Sequence, residues 1–316
     1  MDAGEYLDGI KNGIPIFNDL DEAIEKLENL PEYFIYGVAP FEAFLTKEQK
    51  QIIYNAVEKG INIVNGLHEF LTDDKEFMQK ADEHGAIIYD IRKPLKKKDL
   101  HLFSGRILKV NTPIVAVLGT DGAVGKRTTS ILLVNALKKM GLNVAFVATG
   151  QTGLIQGAKY GVAIDAIVGE FMTGELENAV MKAYDAEHPD IIIVEGQGAL
   201  SHPAYLSVCA IIRATRPRAI IVQHPPKRKY LGDLPYVPMP TIESEIELIE
   251  VFSKSNVIAI TLNHEDMTED EVKETITEYE KKFQLPTTDT LMYGCEKLVK
   301  RIFQTFPELS EKKSDE

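Results

Sequence analysis

Residues 115–130 read VAVLGTDGAVGKRTTS, an apolar run, a glycine-rich turn and then Lys-Arg-Thr-Thr. A strand, turn and helix start in this order can cradle phosphate. Glycines let the chain curl so that backbone N–H groups face inward. The helix start contributes the positive end of its dipole, and Lys126 contributes a mobile cation. A hydroxyl shortly after the lysine, Thr128 or Thr129, could hold Mg²⁺. The spacing departs from G-x-x-x-x-G-K-[ST]. Gly119 stands six positions before Gly125 instead of the usual five, and Arg127 separates Lys126 from Thr128. The segment is a candidate cradle for CoA or a nucleotide, built on Gly119, Thr120, Asp121, Gly122, Gly125, Lys126, Arg127 and Thr128.

Three groups could move a proton: Glu195, His202 and His224, each placed shortly after an expected strand. Glu195 cannot readily be both a Mg²⁺ ligand and a base. Arg213, Arg216, Arg218, Lys227, Arg228 and Lys229 form a basic stretch with no acid between them. An anion clamp and a solvated basic patch both fit that run. Lys227–Lys229 follow a strand end, where ligands sit in open α/β sheets.

Positioning these groups needs a particular scaffold. Strand and helix patterns alternate almost throughout, which predicts an α/β fold with mainly parallel sheets. In the first part, strands are expected at 33–38, 61–65 and 86–91 and helices at 47–58 and 73–83, a small Rossmann-like half. RKPLKKKDLHLFSGRILKVNTP is basic, broken by prolines and weakly periodic, and reads as a linker. The expected domains are therefore 1–109, with the linker, and 110–316. In the second part, strands are expected at 114–118, 143–148, 163–168, 190–194, 218–223 and 256–262. Helices are expected at 126–140, 174–186, 205–213, 242–254, 269–283 and 296–303. Thr268 with Glu271 forms a capping box for the helix at 269–283. The end, PELSEKKSDE, is expected to fray.

Composition narrows the function. The 316 residues are 44% hydrophobic and 26% charged, as in an ordinary soluble globular protein. A net charge of −13 opposes general binding to nucleic acid or to an anionic membrane. Cys209 and Cys295 are too few for a disulfide framework, which points to a reducing cytoplasm. The polar, acidic N-terminus is not a signal peptide, and no apolar run is long enough to span a bilayer.

The loops carry a family resemblance. GTDGAVGKRT resembles the phosphate loop of dethiobiotin synthetases, which read G-T-D-x-x-V-G-K-T. IIIVEGQGAL resembles their V-E-G-A-G-G-L segment, whose acid helps to hold Mg²⁺, and ATGQTG resembles their K-P-V-Q-T-G loop. The synthetase lysine falls near Ala148 and is missing, so dethiobiotin is not the expected product. Asn263, in AITLNHED, follows a strand where such enzymes read a purine base, and a turn-forming role fits it equally.

The combination GVAP, GLHEFL, GTDGAVGK, VATGQTG and VEGQGALSHPAY resembles one family over nearly the whole chain. That family joins a Rossmann-like N-terminal domain to a P-loop NTPase-like domain, long bore a domain-of-unknown-function label, and includes D-glutamate N-acetyltransferases. Matched position by position, the resemblance implies ligand-binding roles for Thr149, Gln151, Thr152, Gln197, Tyr205 and His68. It also implies acetyl-CoA as donor, a small acidic amino acid as acceptor and a fold that often forms homo-oligomers. The departures are a start at MDAGEYLDG, which implies an N-domain without its first strand, Gly122 where relatives carry Cys or a similar residue, and QHPPKRKY after strand 218–223.

Two reactions stay open. One is acetyl transfer from acetyl-CoA to a D-glutamate-like amine, in which Glu195 is free for proton transfer. The other is an ATP/Mg²⁺-dependent ligase or kinase on a small carboxylate, in which Glu195 and Thr128 hold the metal. An assembly or partitioning ATPase ranks last, because the loop lacks a second, early lysine.

Overall fold

A computed structural model describes residues 1–38 and 44–311. Ala39 and Pro40 of the GVAP segment and the last five residues, 312–316, lie outside the described residues. The chain divides into two compact units, Met1–Lys93 and Pro94–Glu316.

The first unit begins with two short helices, α1 (Ala3–Asp8) and α2 (Leu20–Lys26). Then follow β1 (Tyr33–Tyr36), α3 (Lys47–Glu58), β2 (Asn62–Asn65), α4 (Lys75–His84) and β3 (Ile88–Asp90). The strands form a parallel sheet in the order β1-β2-β3. Ile53, Ala56 and Val57 of α3 and Phe77 and Ala81 of α4 bury against Tyr36, Ile63 and Ile88. Thr46 and Gln49 close a capping box at the start of α3, which stabilises a helix by satisfying its first amides.

In the second unit the chain runs β4 (Ile114–Gly119), α5 (Lys126–Lys139), β5 (Val144–Ala148), α6 (Gln151–Ile155), β6 (Tyr160–Gly161), α7 (Gly169–Glu187) and β7 (Ile191–Glu195). It continues through α8 (Ser207–Thr215), β8 (Ala219–His224), α9 (Ile242–Ser253), β9 (Asn256–Leu262), α10 (Glu269–Phe283) and β10 (Thr287–Thr288). Three helices close it, α11 (Thr290–Tyr293), α12 (Glu296–Thr305) and α13 (Glu308–Glu311). All seven strands are parallel, in the order β10-β9-β8-β4-β7-β5-β6.

Strand alternation divides the apolar residues between two faces. Val115 and Val117 of β4, with Ile191 and Ile193 of β7, meet α5 and α12. Ala116, Leu118, Ile192 and Val194 face the other way, onto α7, α8, α9 and α10. A parallel sheet covered on both sides needs such continuous apolar strands. The expected strand at 163–168 is instead a turn of 3₁₀ helix at Ile164–Ala166 after the two-residue β6. There Ile164 N–H donates to Thr149 O at 3.1 Å, so Ala163 and Ile164 are buried by a turn around the Thr149 loop.

The segment read as a linker is docked on α7. Glu175 Oε1 accepts from His101 N–H at 2.6 Å, and Glu177 accepts from Ser104 N–H at 2.6 Å and Ile107 N–H at 3.1 Å. The chain passes so close that a Cβ on Gly174 would lie 2.1 Å from His101 O, whereas one on Gly169 of the same helix would meet nothing within 4 Å. Gly174→Ala is therefore expected to cost about 1–3 kcal/mol by overpacking, and Gly169→Ala less than about 1 kcal/mol in either direction. Urea unfolding of the two variants checks the contrast.

Candidate functional site

The carboxyl ends of β4, β5, β7, β8 and β9 place Thr120, Thr149, Glu195, His224 and Asn263 at one edge of the second sheet. Open α/β sheets bind ligands at that edge.

The loop between β4 and α5 turns on two left-handed residues, Ala123 (φ 50°) and Gly125 (φ 101°). Thr120 N–H donates to Gln223 O at 3.1 Å, and Gly122 N–H donates to Asp121 Oδ1 at 2.6 Å. Among the described residues, the amides of Val124, Gly125, Lys126, Arg127 and Thr128 donate to no protein acceptor. A row of donors at a helix start is what an anion needs. The Lys126 ammonium donates to Asp121 O and is buried. Burial lowers its pKa to about 8, against the opposing pull of Asp121 and Glu195.

The loop is held from outside. Asp121 is fully buried, and its Oδ2 accepts from Arg228 Nη1 at 2.8 Å and from Gly232 N–H at 2.9 Å. The same guanidinium reaches Gly122 O at 3.0 Å and also pairs with Glu265. Asn263 Nδ2 donates to Val124 O at 3.1 Å while its Oδ1 accepts from Glu265 N–H at 3.0 Å. Both ends of Asn263 are thus engaged, one bracing the loop and the other closing an Asx turn.

Glu195 lies beside the loop, buried at the end of β7. Its Oε2 accepts from Thr149 N–H at 3.1 Å, and Gln197 Nε2 donates to Thr149 Oγ1 at 2.9 Å. Burial raises the Glu195 pKa above the ordinary carboxylate value, against the charges of Arg127 and Lys126. Gln151 and Thr152, half-buried on α6, make no side-chain hydrogen bond among the described residues.

The histidines are committed elsewhere. His224 Nδ1 pairs with Thr120 Oγ1 at 2.9 Å, and burial lowers the His224 pKa to about 4. His202 Nδ1 accepts from Ala204 N–H at 3.2 Å, which leaves Nε2–H to donate to Asp233 Oδ1 at 3.2 Å. Its ring stacks on Tyr205 at 4.3 Å, and the Tyr205 hydroxyl also donates to Asp233. Asp121, His202 and Asp233 each bring one ligand atom within 4.8 Å of the others, close enough to suit a metal. Their hydrogen bonds already satisfy them, and Arg228 would repel a cation there.

Mg²⁺ bound through the loop hydroxyl does not suit the donor set. Arg127 occupies the position after the lysine, where the motif places Ser or Thr. Thr129 Oγ1 is spent on Gln223 Oε1 at 2.6 Å and Thr290 Oγ1 at 3.0 Å. Thr128 is half-buried and makes no side-chain hydrogen bond among the described residues.

The basic stretch is dispersed. Arg213 stacks over Phe252 and Arg218 over Phe306, each at 5.0 Å, before β8 begins. Beyond β8, Lys227 pairs with Glu271 at 2.5 Å and Lys229 is exposed. Only Arg228 of the six contacts the loop. His68 belongs to the first unit, exposed on the loop after β2.

Two family profiles cover the chain, a "domain of unknown function (DUF1611_N) Rossmann-like domain" at residues 1–94 and a "domain of unknown function (DUF1611_C) P-loop domain" at residues 101–299. The chain belongs to the DUF1611 family. It is similar to a protein named D-glutamate N-acetyltransferase from a Pseudoalteromonas species, 33% identical over 273 residues, 84% of this chain and 80% of the relative. A protein of the same name from Tritonibacter scottomollicae is 29% identical over 271 residues, 84% and 79% of the two chains. The crystal structure of a DUF1611 family protein from Anabaena variabilis matches with a TM-score of 0.86 at 30% identity, covering 95% of this chain and 87% of that one.

Of the bracing residues of this DUF1611 P-loop domain, Gln223, Asp233 and Glu245 escaped the sequence reading, and Arg228 entered it only as one of Lys227–Lys229. Glu245 of α9 accepts from Leu200 N–H and Ser201 Oγ and so holds the turn before His202. Only the basic stretch hinted at any of them, and it did not single out Arg228.

Two outcomes are expected. Arg228→Met leaves Asp121 buried without its cation and lowers stability by about 3 kcal/mol, read by denaturant unfolding, and is expected to weaken pyrophosphate binding in calorimetry. Separately, an anion must find Lys126 protonated. Affinity for pyrophosphate is therefore expected to fall as pH rises through about 8, approaching roughly tenfold per pH unit above it. Titrations across that range check the slope.

Proposed function

We propose that this protein transfers an acetyl group from acetyl-CoA to the amine of a small acidic amino acid resembling D-glutamate, in a reducing cytoplasm. The observation that carries this reading is the placement of Glu195, a buried carboxylate with a raised pKa beside a row of unpaired amides. The relatives named D-glutamate N-acetyltransferase support it.

Acetyl-CoA supplies a thioester carbonyl open to attack. The loop amides with Lys126 and Arg127 hold the phosphates of the donor. Glu195 takes the proton that the substrate ammonium must lose before its nitrogen can attack. The N–C bond forms as the C–S bond breaks, and the thiol leaves with a proton. A carboxylate with its pKa raised by burial suits this work better than an exposed one. The backbone amides of Thr149 and Gly150 hold the Glu195 carboxylate in place beside the loop. Gln151 and Thr152 present unpaired polar side chains at the neighbouring strand end, suited to a substrate carboxylate. Tyr205 and His202 shape the wall through Asp233, and His224 holds Thr120 in place.

An ATP-dependent ligase or kinase is the second reading, favoured by Lys126 at the start of the helix after β4 and Glu195 at the end of the neighbouring β7. Product analysis with acetyl-CoA and a panel of D- and L-amino acids separates the two. Acetylated D-glutamate is expected, and no acetylated product from any member of the panel would defeat the first reading. Glu195→Gln is expected to lower kcat by about 10²–10⁴-fold with little change in KM. It is also expected to raise Tm at neutral pH. The raised folded pKa means that stability falls as pH rises from the unfolded carboxylate value, and the amide escapes that loss.

A further inference from the structure

We propose that Arg127 takes the place of Mg²⁺ at the phosphate loop, so that the protein binds its polyphosphate ligand without a metal. The proposal rests on the reading that the loop holds such a ligand. Arg127 is the second residue of α5, at the position that ordinarily carries the metal-binding hydroxyl. It is half-buried, its charge acts on Glu195, and among the described residues it forms no ion pair. Its planar fork of donors matches two phosphate oxygens.

The remaining hydroxyls do not restore a metal site. Thr128 is displaced by about 100° around the helix, and Thr129 is locked to Gln223 and Thr290. A divalent ion beside Arg127 would also meet the repulsion of a fixed guanidinium, which the motif hydroxyl does not exert. A triphosphate undergoing phosphoryl transfer needs metal to neutralise the charge that develops. A polyphosphate serving only as a handle, as in CoA, needs nothing beyond fixed donors. The loop therefore suits a carrier whose phosphates do not react.

Calorimetric titration of the full chain with CoA, and separately with ATP, in EDTA and in MgCl₂ tests this. Equal affinity in both buffers is expected for whichever ligand binds. Arg127→Thr, which restores the motif hydroxyl, is expected to weaken binding in EDTA roughly ten- to a hundredfold and to regain affinity with Mg²⁺. Arg127→Lys keeps the charge, and is expected to lose less and to gain nothing from Mg²⁺. Binding by the parent that requires Mg²⁺ would overturn the proposal and leave the loop reading intact, as would an Arg127→Thr variant that binds like the parent in EDTA. ATP binding without CoA binding would defeat the acetyl-CoA reading, while the Arg127 test is then decided on ATP. Binding of neither ligand in either buffer overturns both.

Discussion

A buried carboxylate holds the phosphate loop in shape, and the rest of the site depends on it. An anion cradle needs several amides converging on one point, and apart from the Lys126 ammonium on Asp121 O a brace inside the ring of backbone would fill it. The support comes from outside. Asp121 joins Gly122 N–H to Gly232 N–H and Arg228, while Gln223 O and Asn263 fix Thr120 and Val124. All the outer partners follow from β8, β9 and the segments after them. The loop geometry therefore depends on the register of two neighbouring strands. Burying such an ion pair gains little net stability, because desolvation offsets attraction. What it gains is a defined loop conformation.

That arrangement has an electrostatic consequence. The chain carries a net charge of −13, yet Lys126 and Arg127 stand together at a helix start that is itself positive. Burial lowers the Lys126 pKa to about 8 despite Asp121, Glu195 and Glu245, and Arg228 pushes it the same way. A bound polyphosphate would favour the charged ammonium further and accept the free amides. Binding would thus relieve a cost that folding leaves in place, and ligand would stabilise the fold strongly.

Much of the scaffold was legible in the sequence because a parallel sheet leaves a plain trace. IVAVLG, IIIVE, AIIVQH and NVIAITL are buried on both faces, and each appears as an apolar run. Helices with reciprocal caps, such as α3 and α10, were equally plain. The run at 163–168 misled because Ala163 and Ile164 are buried by a turn, and periodicity cannot distinguish burial by a turn from burial by a strand. The basic stretch misled for a different reason. Density along the chain does not reveal that the six-residue β8, about 20 Å long, lies between Arg213–Arg218 and Lys227–Lys229. The pairing of Arg228 was hidden because its partner, Asp121, lies more than a hundred residues away, and that of Asp233 because His202 and Tyr205 lie across α8 and β8.

The hydrogen bonds then divide the candidate residues into those that hold and those that are free to act. Thr120, Asp121, His202, Tyr205, His224 and Asn263 spend their polar atoms on one another or on the loop. Their types suggest chemistry, but a histidine with both nitrogens engaged is a poor base, and one held near pKa 4 is a weak one. Lys126, Arg127, Glu195, Gln151 and Thr152 retain charge or capacity toward the strand edge. They supply cation, base and amide or hydroxyl donors, with no soft metal ligand and no nucleophilic thiol. On the proposed reading, that set would bind an anion, remove a proton and orient a carboxylate, as acyl transfer to an amine demands. Phosphoryl transfer would ask for metal ligands, and at the position where the loop would offer one it presents a guanidinium.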